Sequence, residues 1–234
     1  MLEIKNYSKC YVKGKKVVDN LSLKIDSGDI YAFVGHNGAG KTTTIKSIAG
    51  ILDFSEGDIL IDNLSLKKYP IECKSKMAYI PDNPDLYEHL KGIEYLNFIA
   101  DVYLVNEEKR NELINKYSKI FDIEKNLGDL ISSYSHGMKQ KIAIISALIH
   151  EPKLLILDEP FVGLDPKASH SLKEIMKELC DNGTSIFFST HVLEVAEKLC
   201  NKIAIIKDGK LIIEGKMKDV IKDKSLEEIF IGLV

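Results

Sequence analysis

The sequence predicts an α/β protein with a parallel sheet at its centre, an antiparallel β portion and an inserted group of helices. Short and almost continuously apolar runs predict strands buried on both faces, which is how the strands of parallel sheets lie. These runs are Ile30 to Val34, Leu154 to Leu157, Ser185 to Phe188 and Ile203 to Ile206. Amphipathic helical periodicity lies between them, at Ile45 to Leu52 and Leu172 to Leu179, and this alternation is typical of the class.

Other segments show the pattern of antiparallel strands. Residues 2–35 are expected to contain short strands, because Leu21, Leu23 and Ile25 alternate with polar residues. Gly57 to Leu64 is predicted to form another strand, and the pair Asp208-Gly209 is predicted to be a tight hairpin turn.

The middle of the chain, from about residue 85 to 150, is rich in helical periodicity and poor in strand pattern. We therefore predict one domain over residues 1–234 with a discontinuous core. Residues 1–84 and 151–234 form the α/β core with its β subdomain, and residues 85–150 form a helical subdomain.

The composition excludes several classes of protein. A formal net charge of −3 lacks the strong positive balance of a dedicated nucleic-acid binder, so no nucleic-acid partner is expected. The longest apolar runs are far too short to cross a bilayer, which predicts a soluble chain. Arg110 is the single arginine, so lysine, metal or backbone amides must neutralise any bound phosphate.

A phosphate-binding pattern, G-x-x-x-x-G-K-[ST], is present at Gly35-His36-Asn37-Gly38-Ala39-Gly40-Lys41-Thr42. It follows a predicted buried strand and precedes a predicted helix, as the pattern requires. Glycines let backbone amides approach phosphate oxygens, and the helix N-terminus adds partial positive charge. Lys41 is predicted to contact the β and γ phosphates, and the Thr42 hydroxyl to ligate Mg²⁺. Thr43 completes the predicted binding loop.

Two carboxylates end the apolar run Leu154 to Leu157. A buried strand delivers both to the sheet edge at which ligands bind in open α/β proteins. Asp158 is placed to hold Mg²⁺, directly or through water, and Glu159 to polarise an attacking water as general base. His191 follows another predicted strand and is expected at the same edge, where it is able to hydrogen-bond a γ-phosphate and orient the water.

These residues, in this order, resemble the ATP-binding-cassette (ABC) family. The segment Tyr134-Ser135-His136-Gly137-Met138 is similar to the LSGGQ signature of that family. Gly163-Leu164-Asp165 is similar to its D-loop, His191 to its H-switch, and Tyr11 lies where its adenine-stacking aromatic is expected. The resemblance covers essentially the whole chain and implies a P-loop NTPase (RecA-like) core that binds ATP and Mg²⁺.

The signature segment also has a physical reading of its own. Ser135 and Gly137 precede a predicted amphipathic helix that runs to about Ile149. A serine hydroxyl, a glycine N–H and a helix N-terminus together form an anion site. The resemblance implies that this tip caps the ATP held by another copy, so that the chain acts as a homodimer or pairs with a related ATPase subunit.

Three positions depart from the family pattern. His136 replaces the first glycine of the signature, and Met138 replaces its glutamine. Asp82 stands where the Q-loop glutamine is expected; it remains able to bind Mg²⁺ or its water, but it adds negative charge near phosphate. Coupling to a partner through Asp82, through Asn83 or through neither stays open.

The resemblance implies an ATP-hydrolysing transporter subunit, of the kind found in bacterial exporters with separate membrane chains. Such a subunit is cytoplasmic and peripheral, held at the inner face of the cell membrane by integral permease subunits. The alternative is a soluble ABC-type ATPase that acts on ribosomes or DNA, although those relatives commonly carry two cassettes or a long coiled-coil insertion.

Two further alternatives fit the sequence less well. A P-loop kinase or GTPase leaves Ser135 to Gln140 unexplained, and the sequence lacks the guanine-reading N/T-K-x-D motif. An assembly module with little turnover is opposed by the presence of Lys41, Asp158, Glu159 and His191.

Overall fold

The computed structural model describes residues 1–12 and 14–233. Within that part of the chain, the strands form a four-stranded antiparallel sheet and a six-stranded, mainly parallel sheet. The predicted α/β class, with its parallel core sheet and separate antiparallel portion, is confirmed.

The strands are β1 (Leu2–Val12), β2 (Lys15–Ile25), β3 (Ile30–Gly35), β4 (Glu56–Ile61), β5 (Leu64–Ser65), β6 (Met77–Ile80), β7 (Leu154–Asp158), β8 (Ser185–Thr190), β9 (Lys202–Lys207) and β10 (Lys210–Lys216). The helices are α1 (Lys41–Ile48), α2 (Pro70–Ser75), α3 (Gly92–Val102), α4 (Glu107–Ile120), α5 (His136–Leu148), α6 (Pro166–Asp181), α7 (Leu193–Leu199), α8 (Met217–Ile221) and α9 (Leu226–Leu233). Single turns of 3-10 helix occupy Glu124–Asn126 and Ile131–Ser133.

The larger sheet has the strand order β10-β9-β3-β8-β7-β6 within the described residues. The four apolar runs of the sequence form β3, β7, β8 and β9, which are parallel. β6 adds a further parallel strand beside β7, and its run of 4 residues is too short to give a clear pattern. Because β8 lies between β3 and β7, the loops after these three strands meet at one edge of the sheet.

The antiparallel sheet has the order β2-β1-β4-β5 in the described part of the chain. The prediction of one strand over Gly57 to Leu64 was wrong, because β4 ends at Ile61 and β5 begins at Leu64. Asp62 and Asn63 have φ of 51° and 64°, the left-handed conformation of a two-residue hairpin turn. The predicted hairpin at Asp208-Gly209 is confirmed, since β9 and β10 pair across it.

The antiparallel sheet packs on the helix that follows the phosphate loop. Tyr7 of β1 is fully buried, and its hydroxyl lies 2.7 Å from Ser47 Oγ of α1. Apolar residues from both sheets and from α1 fill this side of the parallel sheet, including Leu2, Ile4, Leu21, Phe33, Ile45, Ile156 and Phe187. This core fixes α1, and therefore the loop at its N-terminus, against the sheet.

Helices α3, α4 and α5 lie between β6 and β7 in the chain, inside the segment predicted to be a helical subdomain. Their apolar residues join the core on the opposite face of the parallel sheet, which includes Leu96, Leu113, Ile142, Ile145, Leu155 and Phe188. The division of the chain at residues 85 and 150 stays a prediction.

His150 is a titratable residue at the junction between this helical segment and β6. Its ring stacks on Tyr103 at 3.7 Å between centroids, and its Nε2 lies 3.3 Å from the Met77 carbonyl oxygen. Nδ1 is buried without a hydrogen-bond partner among the described residues. Burial lowers the pKa of His150 to about 4, so the ring is neutral at physiological pH.

We expect His150 to make the fold sensitive to acid. Its pKa falls from 6.5 in the unfolded chain to about 4 when folded, so the unfolded state binds more protons between these values. The free energy of unfolding should therefore fall as the pH drops from 6.5 to 4, by about 3 kcal/mol from this group. Denaturant unfolding of wild type and His150→Gln across that range measures the difference.

A matched control is His170→Gln, which replaces an exposed histidine of α6 and should keep the wild-type pH dependence. If His150→Gln loses stability in parallel with wild type as the pH falls, the buried ring is not the cause.

Candidate active site

The phosphate loop lies between the end of β3 at Gly35 and the start of α1 at Lys41. Gly38 and Gly40 have φ of 82° and 106°, values that favour glycine because L side chains rarely adopt them. A Cβ added to Gly40 would lie 3.0 Å from the Val17 carbonyl oxygen. The loop therefore wraps tightly around the N-terminus of α1, as the sequence pattern predicted.

The Lys41 side chain is buried within this loop. Its ammonium group donates to the carbonyl oxygens of Gly35 at 2.6 Å and His36 at 3.2 Å. Burial lowers the pKa of Lys41, and the nearby charges of Glu159 and Asp158 oppose that shift. The Lys41 ammonium has therefore already lost most of its hydration. An anion that replaced the Gly35 and His36 carbonyl oxygens would not have to remove that water.

A cavity of about 280 Å³ lies beside the loop. Most of the predicted site residues line it, namely Asn37, Gly38, Gly40, Lys41, Thr42, Thr43, Asp82, Asp158 and Glu159. Gly35 and Ala39 are instead buried at the base of the loop. Val17 and His36 also line the cavity. No sequence pattern included Val17, and His36 occupies an unspecified position of the phosphate-binding pattern.

Asp158 ends β7 and is buried beside the loop. The Ser189 hydroxyl donates to its Oδ1 at 2.5 Å, whereas Oδ2 is buried without a hydrogen-bond partner within residues 1–12 and 14–233. Burial raises the pKa of this carboxyl, and the Ser189 and Thr42 hydroxyls oppose the shift. The Tyr79 hydroxyl is another buried oxygen without a partner in the described chain. A carboxylate with one free oxygen, next to a threonine hydroxyl, is a donor set that fits Mg²⁺.

Glu159 and His191 are brought together by the pairing of β7 with β8. Glu159 Oε2 lies 2.9 Å from His191 Nδ1 and accepts a hydrogen bond from the His191 backbone N–H at 3.3 Å. Glu159 has φ of 50°, which is strained for a non-glycine residue and is a feature of functional sites. The histidine thus holds the carboxylate at the cavity, at the sheet edge that the sequence predicted.

Ser135 and Gly137 form a second helix tip, at the start of α5. Ser135 is the N-cap residue, and its hydroxyl accepts from the Met138 backbone N–H at 3.3 Å. The prediction that Gly137 precedes the helix was wrong, since α5 begins at His136. A Cβ on Gly137 would lie 2.7 Å from the Gly163 carbonyl oxygen, so this tip packs closely on the 163–165 loop. Neither Ser135 nor Gly137 lines the cavity beside Lys41.

Tyr11 and Asp82 are two further predicted site residues near the loop. Tyr11 is exposed near the end of β1, and its hydroxyl is 3.3 Å from Thr43 Oγ1. Asp82 follows β6, lines the cavity, and accepts a hydrogen bond from the Asn83 backbone N–H at 2.9 Å. The geometry therefore puts an aromatic ring and an additional carboxylate within reach of a ligand at the loop.

Comparison with known proteins identifies the family. The family model described as ABC transporter matches residues 18–162, which is more than half of the chain. The chain belongs to the ABC transporter family. It is an ATP-binding ATPase subunit of that family.

Individual relatives agree with this assignment. The ABC cassette is 37% identical over 212 residues to the SkfA peptide export ATP-binding protein SkfE of Bacillus subtilis (strain 168), covering 91% of this chain and 87% of that protein. A solved ATP-binding subunit of an ABC transporter shares 36% identity, with a TM-score of 0.95 over 100% of this chain and 99% of that one. The cassette MJ0796, solved as a post-hydrolysis dimer with ADP and Pi, shares 24% identity and a TM-score of 0.83 over 93% of this chain and 99% of that one. At that identity the likeness shows the fold alone.

The structure of the ABC cassette adds residues that the motifs did not mark. Ser189 holds Asp158, the Tyr79 hydroxyl interacts electrostatically with Asp158, and Val17 lines the cavity. The only sequence signal for Ser189 is its place two residues before His191 at the end of an apolar run. Among the described residues, no helix combines the length and apolarity needed to cross a bilayer.

Proposed function

We propose that two copies of this ABC cassette bind ATP between them and that hydrolysis drives separate membrane subunits, in the direction of export. The proposal that two copies share each ATP rests on the positions of two helix N-termini, those of α1 and α5. Lys41 and Thr42 line the nucleotide cavity, whereas Ser135 is exposed and lies outside its lining. An anion bound at Ser135 would therefore belong to the ATP of another copy, which is the head-to-tail arrangement that the family resemblance implies.

The phosphates of ATP are assigned to the loop around Lys41. The N-terminus of α1 and the backbone amides of the glycines stabilise negative charge there. Replacing the Gly35 and His36 carbonyl oxygens by phosphate oxygens gives the Lys41 ammonium a stronger, charge-assisted partner. Tyr11 is assigned to the adenine, because it is exposed at the rim of the loop beside Thr43.

Thr42 and Asp158 are assigned to Mg²⁺, with Asp82 as a further oxygen ligand or a partner of bound water. Within residues 1–12 and 14–233, no group of three His, Cys, Asp or Glu residues forms a metal site by itself. This fits Mg²⁺, which is commonly held by one or two carboxylates together with phosphate oxygens and water. When bound, the ion neutralises charge that develops on the phosphates.

Glu159 is assigned as the general base for the attacking water. Its carboxylate faces the cavity and is held by His191 at 2.9 Å, so its orientation is fixed before the substrate arrives. His191 is able to hydrogen-bond the γ-phosphate with the ring nitrogen that does not face Glu159. The pair thus orients the water and the phosphoryl group that it attacks.

An aromatic surface in the segment after Asp82 supports docking of membrane subunits. Tyr87 and Phe98 are 50% and 42% exposed, and their rings lie 5.6 Å apart, with Tyr95 at 6.1 Å from Tyr87. Exposed aromatic clusters of this kind are typical of protein-protein contacts. The cluster follows the cavity-lining Asp82 closely in the chain, so a partner bound there is placed to sense the nucleotide.

Export is favoured because the relative SkfE is named for peptide export.

We expect loss of this aromatic surface to release the cassette from membranes. The double variant Tyr87→Ser/Phe98→Ser should shift from the membrane fraction to the soluble fraction of its own cells, by about tenfold in the membrane-to-soluble ratio, because a few buried aromatics dominate an interface. The ATPase activity of the purified variant should stay near wild type. Fractionation followed by quantitative immunoblotting measures the distribution.

The matched control is Tyr69→Ser, which removes another aromatic, 47% exposed, at the start of α2. It should stay with the membrane like wild type. If wild type itself is recovered only in the soluble fraction, the alternative of a soluble partner is favoured and the membrane proposal fails.

A further inference from the structure

The C-terminal helix α9 lies against the phosphate loop. The ring of Phe230 contacts the ring of His36, with centroids 4.7 Å apart and an interplanar angle of 41°. His36 is the residue directly after β3, so this contact joins the last described helix to the first residue of the loop that leads to Lys41. No motif of the sequence involves α9.

Helix α9 is held in place by contacts at both ends. Leu226 is fully buried, and its backbone N–H donates to Glu197 Oε2 of α7 at 2.8 Å. Ser225 and Glu228 form a reciprocal cap at the N-terminus, at 2.8 and 3.2 Å. At the other end, Lys207 Nζ donates to the Leu233 carbonyl oxygen at 2.7 Å. The position of Phe230 is therefore fixed by the fold and not by its ring contact alone.

His36 connects Phe230 to the interior of the loop through its backbone carbonyl group. Its carbonyl oxygen accepts a hydrogen bond from the Ala39 backbone N–H at 3.1 Å. This bond closes a turn within the loop and does not involve the Lys41 ammonium that phosphate is proposed to bind. The side chain of His36 is otherwise exposed, so the Phe230 ring is what restricts it on the outer side. Phe230 also forms a wall of a cavity of about 520 Å³ that is lined by Gly35, His36, Asn37 and His191.

We propose that Phe230 is a positioning residue for ATP binding, which acts through His36 to hold the phosphate loop in its binding conformation. The inference rests on the phosphate-binding role proposed above for that loop. A loop that is ordered before the ligand arrives loses less conformational entropy on binding. Removal of the aromatic contact should therefore weaken ATP binding more than it slows the chemical step.

The test replaces Phe230 by leucine, which keeps an apolar side chain but removes the ring. An aromatic ring pair adds a modest interaction free energy beyond the burial of its surface. The KM for ATP should therefore rise roughly three- to tenfold, while kcat changes less than about twofold. Phe230→Tyr should stay near wild type, because it keeps the ring. Ile231→Leu, at a neighbouring position that is 67% exposed, is the matched control and should not change KM.

A double-mutant cycle shows whether the effect passes through His36. His36→Ala should raise KM by a similar factor, and the double variant His36→Ala/Phe230→Leu should be no worse than either single one. The inference would be overturned if the two single variants raised KM by factors that multiply in the double variant, or if Phe230→Leu kept the wild-type KM. Wild type and Lys41→Ala are assayed alongside: if Lys41→Ala binds ATP normally, the proposed role of the loop fails; if it does not while Phe230→Leu is normal, only the role of α9 fails.

Discussion

We expect Glu159→Gln to bind ATP, to lose hydrolysis, and to accumulate as an ATP-bound dimer. The amide keeps the size of the side chain but cannot accept the proton of the attacking water, so kcat should fall by about 10² to 10⁴. The phosphate loop is untouched, so ATP affinity should stay near wild type. Phosphate release assays measure the first effect, and light scattering with and without ATP measures the second.

A stability check and a control variant accompany this experiment. The glutamine retains a group that can face His191, so the local fold should persist, and the melting temperature checks this. Glu194→Gln, in the exposed first turn of α7, is the matched control and should hydrolyse ATP like wild type. A Glu159→Gln cassette that binds ATP but scatters as a monomer would show that the isolated chain does not close on ATP.

Ser135→Arg should abolish turnover while leaving ATP binding to the phosphate loop intact. The variant removes the hydroxyl at the tip of α5 and fills the space in which the partner's ATP would lie, and loss of one preorganised donor alone costs about 10² to 10³ in kcat. Because Ser135 lies outside the lining of the cavity around Lys41, the Kd for ATP should not change. Ser132→Arg, at an exposed position just before it, is the control for bulk and charge.

Mixing two inactive variants tests the shared site directly. Ser135→Arg keeps an intact phosphate loop, and Lys41→Ala keeps an intact α5 tip. In a head-to-tail pair with one copy of each variant, each nucleotide site combines the loop of one copy with the α5 N-terminus of the other. One site then carries both substitutions, and the other site carries neither. Partial recovery of ATPase activity on mixing is therefore expected. Without recovery at concentrations at which the two copies associate, both elements would act within a single chain.

The conformation of the loop before α1 could be predicted because it depends on local residues. Gly35 to Thr42 are contiguous, and the loop needs glycines at Gly38 and Gly40 for left-handed backbone, so residue type and spacing alone carry the prediction. The same holds for Asp158 and Glu159, which lie at the end of an apolar run. The strand β6 and the turn at Asp62-Asn63 were not predicted, because runs this short give no clear periodicity.

Contacts between segments that are distant in the chain could not be predicted from the local sequence. Ser189 donates to Asp158 because β8 pairs with β7 in one particular register. Phe230 reaches His36 only because α9 is anchored on α7 and on Lys207. Ser189 has only its place at the end of an apolar run as a signal, and Phe230 has none, so the local sequence could not show what either side chain contacts.

The sequence by itself determined the α/β class, the tight glycine-rich loop before α1 and the acidic pair at the end of β7, because backbone conformation and strand burial are set by neighbouring residues. Only the tertiary structure decided that Asp158 keeps one oxygen without a partner among the described residues, that Glu159 is held by His191, and that the N-terminus of α5 at Ser135 lies outside the cavity beside Lys41. These features depend on which strands pair and which helices pack on them. That arrangement is fixed by burial of apolar surface between segments far apart in the chain, and it has no local signature.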